Sequence, residues 1–264
     1  MFDWTHGSWR LRGLTRAGVS TCYSLLGCDL AFDVAQGFAS FVPVSRFFIT
    51  HGHMDHAAGI PYIISQRALN HLKPASFYMP IAMVDKMADI MNSWQEIEGH
   101  KYSYSFVPVQ LGSEISLRTD LMVRPFSTFH RIPSLGYTLF KKRKSLRPEL
   151  ASLQQEEIRK LKIRGEEVDS EEWIPEISFT GDTKIEFFDQ NEWVRKSRIL
   201  VMEVTYINES KSVQVARDWG HIHLDELIPR LKDFEGEKIL LTHLSSRHSV
   251  EECKEKKKKK LPKE

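Results

Sequence analysis

Cysteine is scarce in this chain: Cys22, Cys28 and Cys253 are the only three in 264 residues. They are too few and too irregularly spaced for a disulfide framework, and none stands in the CxxC pair of a thiolate metal site. Long apolar runs are missing as well. No stretch approaches the roughly 18 apolar residues of a membrane span, and the opening MFDWTHGSWRLRG lacks the apolar centre of a secretory leader. These absences predict a soluble protein of a reducing, intracellular compartment, cytoplasmic if the source is bacterial, with no membrane partner. Net charge is nearly absent too, at +2, but the sum hides basic clusters at 141–144, 159–164 and 254–260. Such clusters attract polyanions, so nucleic acid is a candidate partner, and a solvated surface is the alternative.

A hydrophobic fraction of 41% at this length allows a substantial core in one large or two modest domains. Short β-branched and apolar segments alternate with longer helical ones, the pattern of an α/β protein. Strands are expected at 46–50, 76–79, 104–108, 121–126, 136–140, 176–180, 198–203 and 238–242. Residues 56–72 and 81–94 read as helices. In the second, Ile81, Val84, Met87, Ile90, Met91 and Trp94 recur at steps of three or four, and this stripe is expected to be core. Residues 141–173 interrupt the rhythm with few core-forming side chains and should form an excursion, with a charged helix near 149–163. Beyond 250 the sequence EECKEKKKKKLPKE predicts a disordered lysine-rich tail at 251–264, leaving 1–250 as one domain.

The chemistry-bearing segment is HGHMDH at 51–56, directly after an expected strand. Side chains two apart in an extended loop point the same way, so His51 and His53 can share one ion while Asp55 and His56 turn towards a second. A structural loop rarely needs so many ligand types. Imidazole and carboxylate without thiolate favour zinc, although manganese or iron also fit. Two ions need more ligands, and His130, Asp182 and His243 each follow an apolar run that reads as a strand. Taken singly, either histidine could be a satisfied core residue and Asp182 a turn residue after Gly181. Together with the loop they read as ligands.

The HGHMDH segment resembles the HxHxDH signature of the metallo-β-lactamase superfamily. Further stretches resemble the ribonuclease Z (tRNase Z) family of tRNA 3′-processing endonucleases in its short plant-type form: FITHGHMDHAAGIP at 48–61, STFHRIPSLGY at 127–137, PEISFTGDT at 175–183, LVMEVTYI at 200–207, ARDWGHIH at 216–223 and LLTHLSSRH at 240–248. HxHxDH alone marks the superfamily; the Glu203, Gly220–His221 and THxSSR motifs are more specific.

That resemblance implies a four-layer αββα sandwich and two zinc ions per chain. It gives one ion to His51, His53 and His130, the other to Asp55, His56 and His243, with Asp182 bridging. It implies removal of the 3′ trailer of precursor tRNA by metal-hydroxide attack on a phosphodiester. His221, paired with Glu203, would protonate the leaving 3′-oxygen, and Asp55 would orient the attacking group. His223 competes with His221 for that role, but only His221 follows the family's glycine, and His223 is read as a helix-start residue. Asp33 resembles an early supporting aspartate. Arg247 could contact phosphate or form an ordinary salt bridge, and His71 and His100 read as surface residues.

The chain departs from bacterial ribonucleases Z in its 141–173 segment, which lacks their Gly-Pro-rich arm tip. Lys141, Lys142, Arg143 and Lys144 are expected to help hold tRNA, with their segment's base flanking the site. The family resemblance also implies a homodimer. Two rival readings use the same residues: a hydrolase of a small molecule such as a cyclic nucleotide, thioester or lactam, and a noncatalytic RNA-binding relative. The first shares the metal core, and the second would be expected to have lost ligands.

Overall fold

A computed structural model describes residues 1–249 together with 251, 252 and 255. The expected tail at 251–264 therefore lies mostly outside the described residues, and Cys253 lies outside them too. The strands are β1 (Phe2–His6), β2 (Trp9–Arg16), β3 (Ser20–Leu25), β4 (Leu30–Phe32), β5 (Arg46–Phe48), β6 (Ser76–Pro80), β7 (Ser105–Val109), β8 (Ile115–Arg118), β9 (Leu121–Ser127), β10 (Leu135–Leu146), β11 (Asp169–Phe179), β12 (Ile199–Glu203) and β13 (Lys238–Thr242). They form a seven-stranded sheet, β1 to β7 in order, and a six-stranded sheet ordered β13-β12-β11-β10-β9-β8. Each sheet is antiparallel through its hairpins, and both turn parallel at one side: from β4 to β7 in the first and from β11 to β13 in the second.

Period-two alternation builds the layers, because consecutive strand residues face opposite sides. Phe48, Ile199 and Val201 face the space between the sheets, where they join Tyr23, Phe32, Tyr137 and Phe179 in one buried cluster. Phe32 and Phe179 stack across that space with ring centroids 5.1 Å apart. Phe47 and Phe77 face the other way, into a second cluster with Ile60, Ile63 and Ile64 of the helix Ile60–Leu69 and Met87 and Met91 of the helix Ile81–Glu98. Leu200 and Met202 point into a third, against Phe187, Phe188, Leu224 and Leu227 of short helices on the second sheet. The result is the expected αββα sandwich. Each fully buried Phe contributes about 1.5–3 kcal/mol through burial.

Two expectations need correction. The stripe on the 81–98 helix is core only along Met87, Met91 and Gln95, while Ile81, Ile90, Trp94 and Ile97 are 58%, 47%, 45% and 75% exposed. A helix face wider than the line that meets the sheet leaves its flanks in solvent. The 141–173 excursion is also more ordered than its polarity suggests. Strands β10 and β11 run on past the sheet as an antiparallel arm, paired from Tyr137 and Phe179 out to Leu146 and Asp169. Its far end carries a single 3-10 turn at Pro148–Leu150 and an α-helix at Gln155–Ile163, the latter started by a Gln154/Glu157 capping box.

Candidate metal centre

Strands β5, β9, β11, β12 and β13 all finish at one edge of the sandwich, and the loops leaving them carry the polar residues. This matches the rule that sites form outside the carboxyl ends of parallel strands. Thr50 and His51 follow β5, His130 follows β9, Asp182 follows β11, Glu203 ends β12 and His243 follows β13. The turn after β11 depends on Gly181, at φ 59°, where a Cβ would lie 2.6 Å from Thr50. His243 itself adopts φ 56° and Asp33 φ 53°. Non-glycine residues in that region cost on the order of 1–3 kcal/mol each and persist where their surroundings hold them. Here Thr15 Oγ1 accepts from the His243 amide at 2.9 Å, and Phe48 O accepts from the Asp33 amide at 3.0 Å.

A shell of acceptors fixes which nitrogen of His51, His56, His130 and His243 points inwards. Gly220 O, which can only accept, lies 2.9 Å from His130 Nδ1, so that nitrogen carries the proton and Nε2 is left as a lone pair. Gly220 has φ 78°, and a Cβ there would stand 2.8 Å from His130 Nδ1. His56 Nδ1 donates to Asp33 at 2.7 Å. Thr50 donates to Asp33 and accepts from His51 Nδ1 at 3.0 Å. Thr205 likewise donates to Glu203 at 2.6 Å and accepts from His243 Nδ1 at 3.0 Å. Four Nε2 atoms therefore converge on Asp182, at 3.6 Å from His51, 3.2 Å from His56, 4.0 Å from His130 and 3.3 Å from His243. Outer partners of this kind set ligand tautomer and orientation.

The inner atoms are poorly satisfied by one another. His56 Nε2 and Asp182 Oδ1 are buried without a hydrogen bond, and His53 Nδ1 lies 3.1 Å from His51 Nε2 and 3.2 Å from His130 Nε2. Three ring nitrogens that close cannot all pair as donor and acceptor, whereas a cation accepts every lone pair. The side chains group as His51, His53, His130 and Asp182; as Asp55, His56 and His243; and as Asp182, Glu203, His221 and His243, each set with its ligand atoms within 4.8 Å of one another. Donor chemistry and orphaned atoms together fit divalent cations.

Burial holds His51 well below the usual imidazole range and lowers His53 and His130, which keeps their lone pairs available. Burial also opposes charge on His56 and Asp182, but each outweighs it for the other: His56 is pushed well up by Asp182 and Asp33, and Asp182 is held well down by His243, His56 and His51. Asp33 goes up, because burial exceeds what His56 and Thr50 return. Against its partial burial, Asp55 is lowered by His243 Nε2, 3.4 Å away.

Glu203 is spoken for. Its Oε1 accepts from the Thr183 amide and His221 Nδ1, both at 2.8 Å, and its Oε2 accepts from Thr205 Oγ1 and, at 3.4 Å, the Ile222 amide. Burial disfavours charge on His221, but the Glu203 carboxylate outweighs it and raises His221 to about 9. His223 is engaged elsewhere: Nδ1 accepts from the Asp225 amide as the cap of the helix Leu224–Leu227, and Nε2 donates to Asn208 O. His71 and His100 are exposed. Arg247 lines a cavity of about 270 Å³ with His53, Asp55, Tyr206, His221 and His243.

Lys141, Lys142, Arg143 and Lys144 are not brought to this edge. They lie on β10 as it runs away from Leu135, about 20–30 Å further along at roughly 3.3 Å per residue. The expectation that their segment's base flanks the site is therefore corrected: its strands continue away from the edge that the His130 loop occupies. Thr50, Thr183, Thr205, Trp219 and Arg131 went unremarked in the sequence. The threonine directly before His51 was an available signal for its hydroxyl partner, whereas Thr205, which meets His243, stands 38 residues from it with no local signal.

Residues 31–244 match the β-lactamase superfamily domain. The tRNase Z TRZ1 of Arabidopsis thaliana is 33% identical over 93% of this chain and 88% of its own length. The chain belongs to the tRNase Z family. The ribonuclease Z of Pyrococcus horikoshii, at 27% identity over 86% of this chain and 80% of its own, is a more distant relative. Human short-form tRNase Z, at 18% identity, has the same fold, with a TM-score of 0.62 over 90% of this chain and 93% of its own. The fold alone is shared with the metallo-β-lactamase fold protein YhfI of Bacillus subtilis, at 13% identity and TM-score 0.63 over 93% of this chain and 90% of its own. The strand-end cluster, from His51 to His243, lies inside the matched span.

Proposed function

We propose that the chain is an endoribonuclease that cuts precursor tRNA at the 3′ end of the mature sequence, with two zinc ions held at the strand-end cluster of a single domain spanning 1–250. One observation carries the reading: ligand sets that meet at Asp182, beside a histidine and glutamate pair, in a chain whose relatives are named tRNase Z. His51, His53 and His130 would hold one ion, Asp55, His56 and His243 the other, and Asp182 both. When bound, the ions supply charge stabilisation at the phosphodiester and a lowered pKa for water.

The chain's own groups account for the rest. Asp55 Oδ2 accepts from the Gly18 amide at 2.9 Å, which fixes it at the mouth of the cavity where it orients the attacking group. Glu203 keeps the proton on His221 Nδ1 and stabilises the charged ring, leaving Nε2 to protonate the tRNA 3′-oxygen as the P–O3′ bond breaks. Because both oxygens of Glu203 already accept from protein donors, Glu203 and His221 serve proton transfer rather than metal binding. Products are tRNA with a 3′-hydroxyl and a trailer with a 5′-phosphate. Arg247 contacts a phosphate at the cavity rim.

Lys141, Lys142, Arg143 and Lys144 take the tRNA body away from the site. The chain acts as a homodimer, a reading supported by exposed Ile90, Trp94 and Ile97 on one helix, and it works inside the cell, where precursor tRNA is made. No helix among the described residues is long and apolar enough to cross a membrane. A substrate panel tests the reaction: precursor tRNA, a cyclic nucleotide, a thioester and a lactam, each with and without chelator. Chelator-sensitive turnover of the tRNA alone is expected, and preference for one of the small molecules would overturn it.

A further inference from the structure

Beside the metal centre lies an aromatic surface that the proposed reaction does not use. Trp219 is 55% exposed, and the guanidinium of Arg131 sits 4.8 Å from the centroid of its ring. Neither residue belongs to the hydrophobic core, and a large indole left in solvent invites an occupant. Both are tied to the site histidines by one residue of chain. Arg131 follows His130, and Trp219 precedes Gly220, whose carbonyl accepts the hydrogen bond from His130 Nδ1 and whose neighbour is His221. The rings of His130 and His221 are themselves 5.3 Å apart. At Gly220 the two loops are in contact: a Cβ would stand 3.2 Å from both the backbone nitrogen and the Cγ of Arg131. Arg131 also lines an open cavity of about 480 Å³ with His130, Thr128, Ser134 and Lys184, so a second cation and two hydroxyls border the same space.

An exposed indole carrying a planar cation is suited to a nucleobase, since every base offers a π-face and Arg adds cation–π attraction. Nearby Lys184 suits the phosphate attached to such a base. We propose that Trp219 and Arg131 form a stacking subsite for one unpaired nucleotide next to the phosphate that is cut. This rests on the RNA reading above and adds the residues that grip the strand at the cut. Stacking tolerates any base, so the subsite sets affinity and register with little sequence preference.

The test walks a single abasic nucleotide through a 3′-extended precursor tRNA, from two positions before the cut to three after it, with kcat and KM measured for wild type, Trp219→Ala, Trp219→Phe and Arg131→Lys. On intact RNA, Trp219→Ala should raise KM about tenfold, as for loss of one stacked base, whereas Trp219→Phe stays near wild type. At one abasic position, wild type and Trp219→Ala should become equal. Arg131→Lys keeps charge but not planarity and should fall between. Hydrolysis of bis(p-nitrophenyl) phosphate by each variant reports the state of the metal centre, and the loss on RNA should exceed the loss on this diester by the same tenfold. Equal losses on both substrates, or a Trp219→Ala defect that no abasic position removes, would overturn the subsite. Binding of a precursor with an uncleavable methylphosphonate at the cut, followed by anisotropy, separates the two readings. If wild type binds it about tenfold more tightly than Trp219→Ala yet cuts no RNA, the reaction assignment fails and the subsite stands.

Discussion

The second sheet has two ends, and they treat charge in opposite ways. At one end, β11, β12 and β13 deliver Asp182, Glu203 and His243 into a site where these side chains are 1–2% exposed and where a hydroxyl, carbonyl or carboxylate lies behind His51, His56, His130 and His243. At the other, β10 and β11 run out as an arm carrying nine basic and eight acidic side chains between 141 and 173, nearly all in solvent. There Lys142 and Lys144 share Glu171, at 2.8 and 3.0 Å, Arg147 meets Glu167 at 2.7 Å and Lys162 meets Asp169 at 3.2 Å. Buried polar groups that leave one another unsatisfied are costly, and they persist where something else completes them. Exposed pairs cost almost nothing and are worth little, with a median of about 0–1 kcal/mol. The contrast separates buried groups that lack partners from exposed ones that already pair with one another.

Removing ligands at the buried end should break the contrast most severely. Replacing His53 and His243 by alanine takes one donor from each proposed half, and should empty the site of the two ions proposed for it and cut turnover on the order of 10³-fold or more, the scale of several kcal/mol of lost charge stabilisation. Elemental analysis of the purified double variant checks this, and a fully loaded protein would refute the ligand assignment. Wild type stripped by chelator should also unfold more readily than the loaded form, because converging ligands lose what holds them together. A smaller loss is expected at His221→Ala, where metal content stays near wild type and precursor cleavage slows about 10²-fold. His223→Ala serves as its foil: losing the cap to the Asp225 amide should cost about 1 kcal/mol of stability while cleavage persists. Crippled His223→Ala beside active His221→Ala would reverse the assignment.

At the exposed end the effects should be smaller and confined to binding. Lys141 and Arg143 have no ion pair among the described residues, whereas Lys142 and Lys144 are already offset by Glu171. Charge reversal of Lys141 and Arg143 should therefore raise KM for precursor tRNA and flatten its salt dependence by up to about 0.9 per lost phosphate contact, and reversal of Lys142 and Lys144 should do less. Steady-state kinetics at two salt concentrations distinguishes them. A matching loss on bis(p-nitrophenyl) phosphate would mean that the arm supports the active site's structure instead.

The same two ends explain what could be read from the sequence. Ligand types packed into HGHMDH and apolar runs ending in His130, Asp182 and His243 are local signals, and all four segments meet in the fold. Glu203 and His221 were recognised by family motif, and their contact, 2.8 Å across 18 residues of chain, follows from a turn no local pattern announces. The early strands were missed although WRLRGLTR at 9–16 alternates, with Trp9, Leu11 and Gly13 buried and Arg10 and Arg12 turned outwards to differing degrees; short runs rich in arginine do not read as half-buried strands. The arm failed for another reason. Its strands are held by backbone pairing from Tyr137 and Phe179 out to Leu146 and Asp169, so polarity alone concealed them.

Mapping the ends produced from a 3′-extended precursor tRNA addresses the central claim most directly, with chelator and zinc re-addition as controls. The account predicts a single cut leaving a 3′-hydroxyl on the tRNA and a 5′-phosphate on the trailer, lost with chelator and restored by zinc. Cleavage that survives the chelator, or that leaves a 2′,3′-cyclic phosphate on the tRNA, would contradict it.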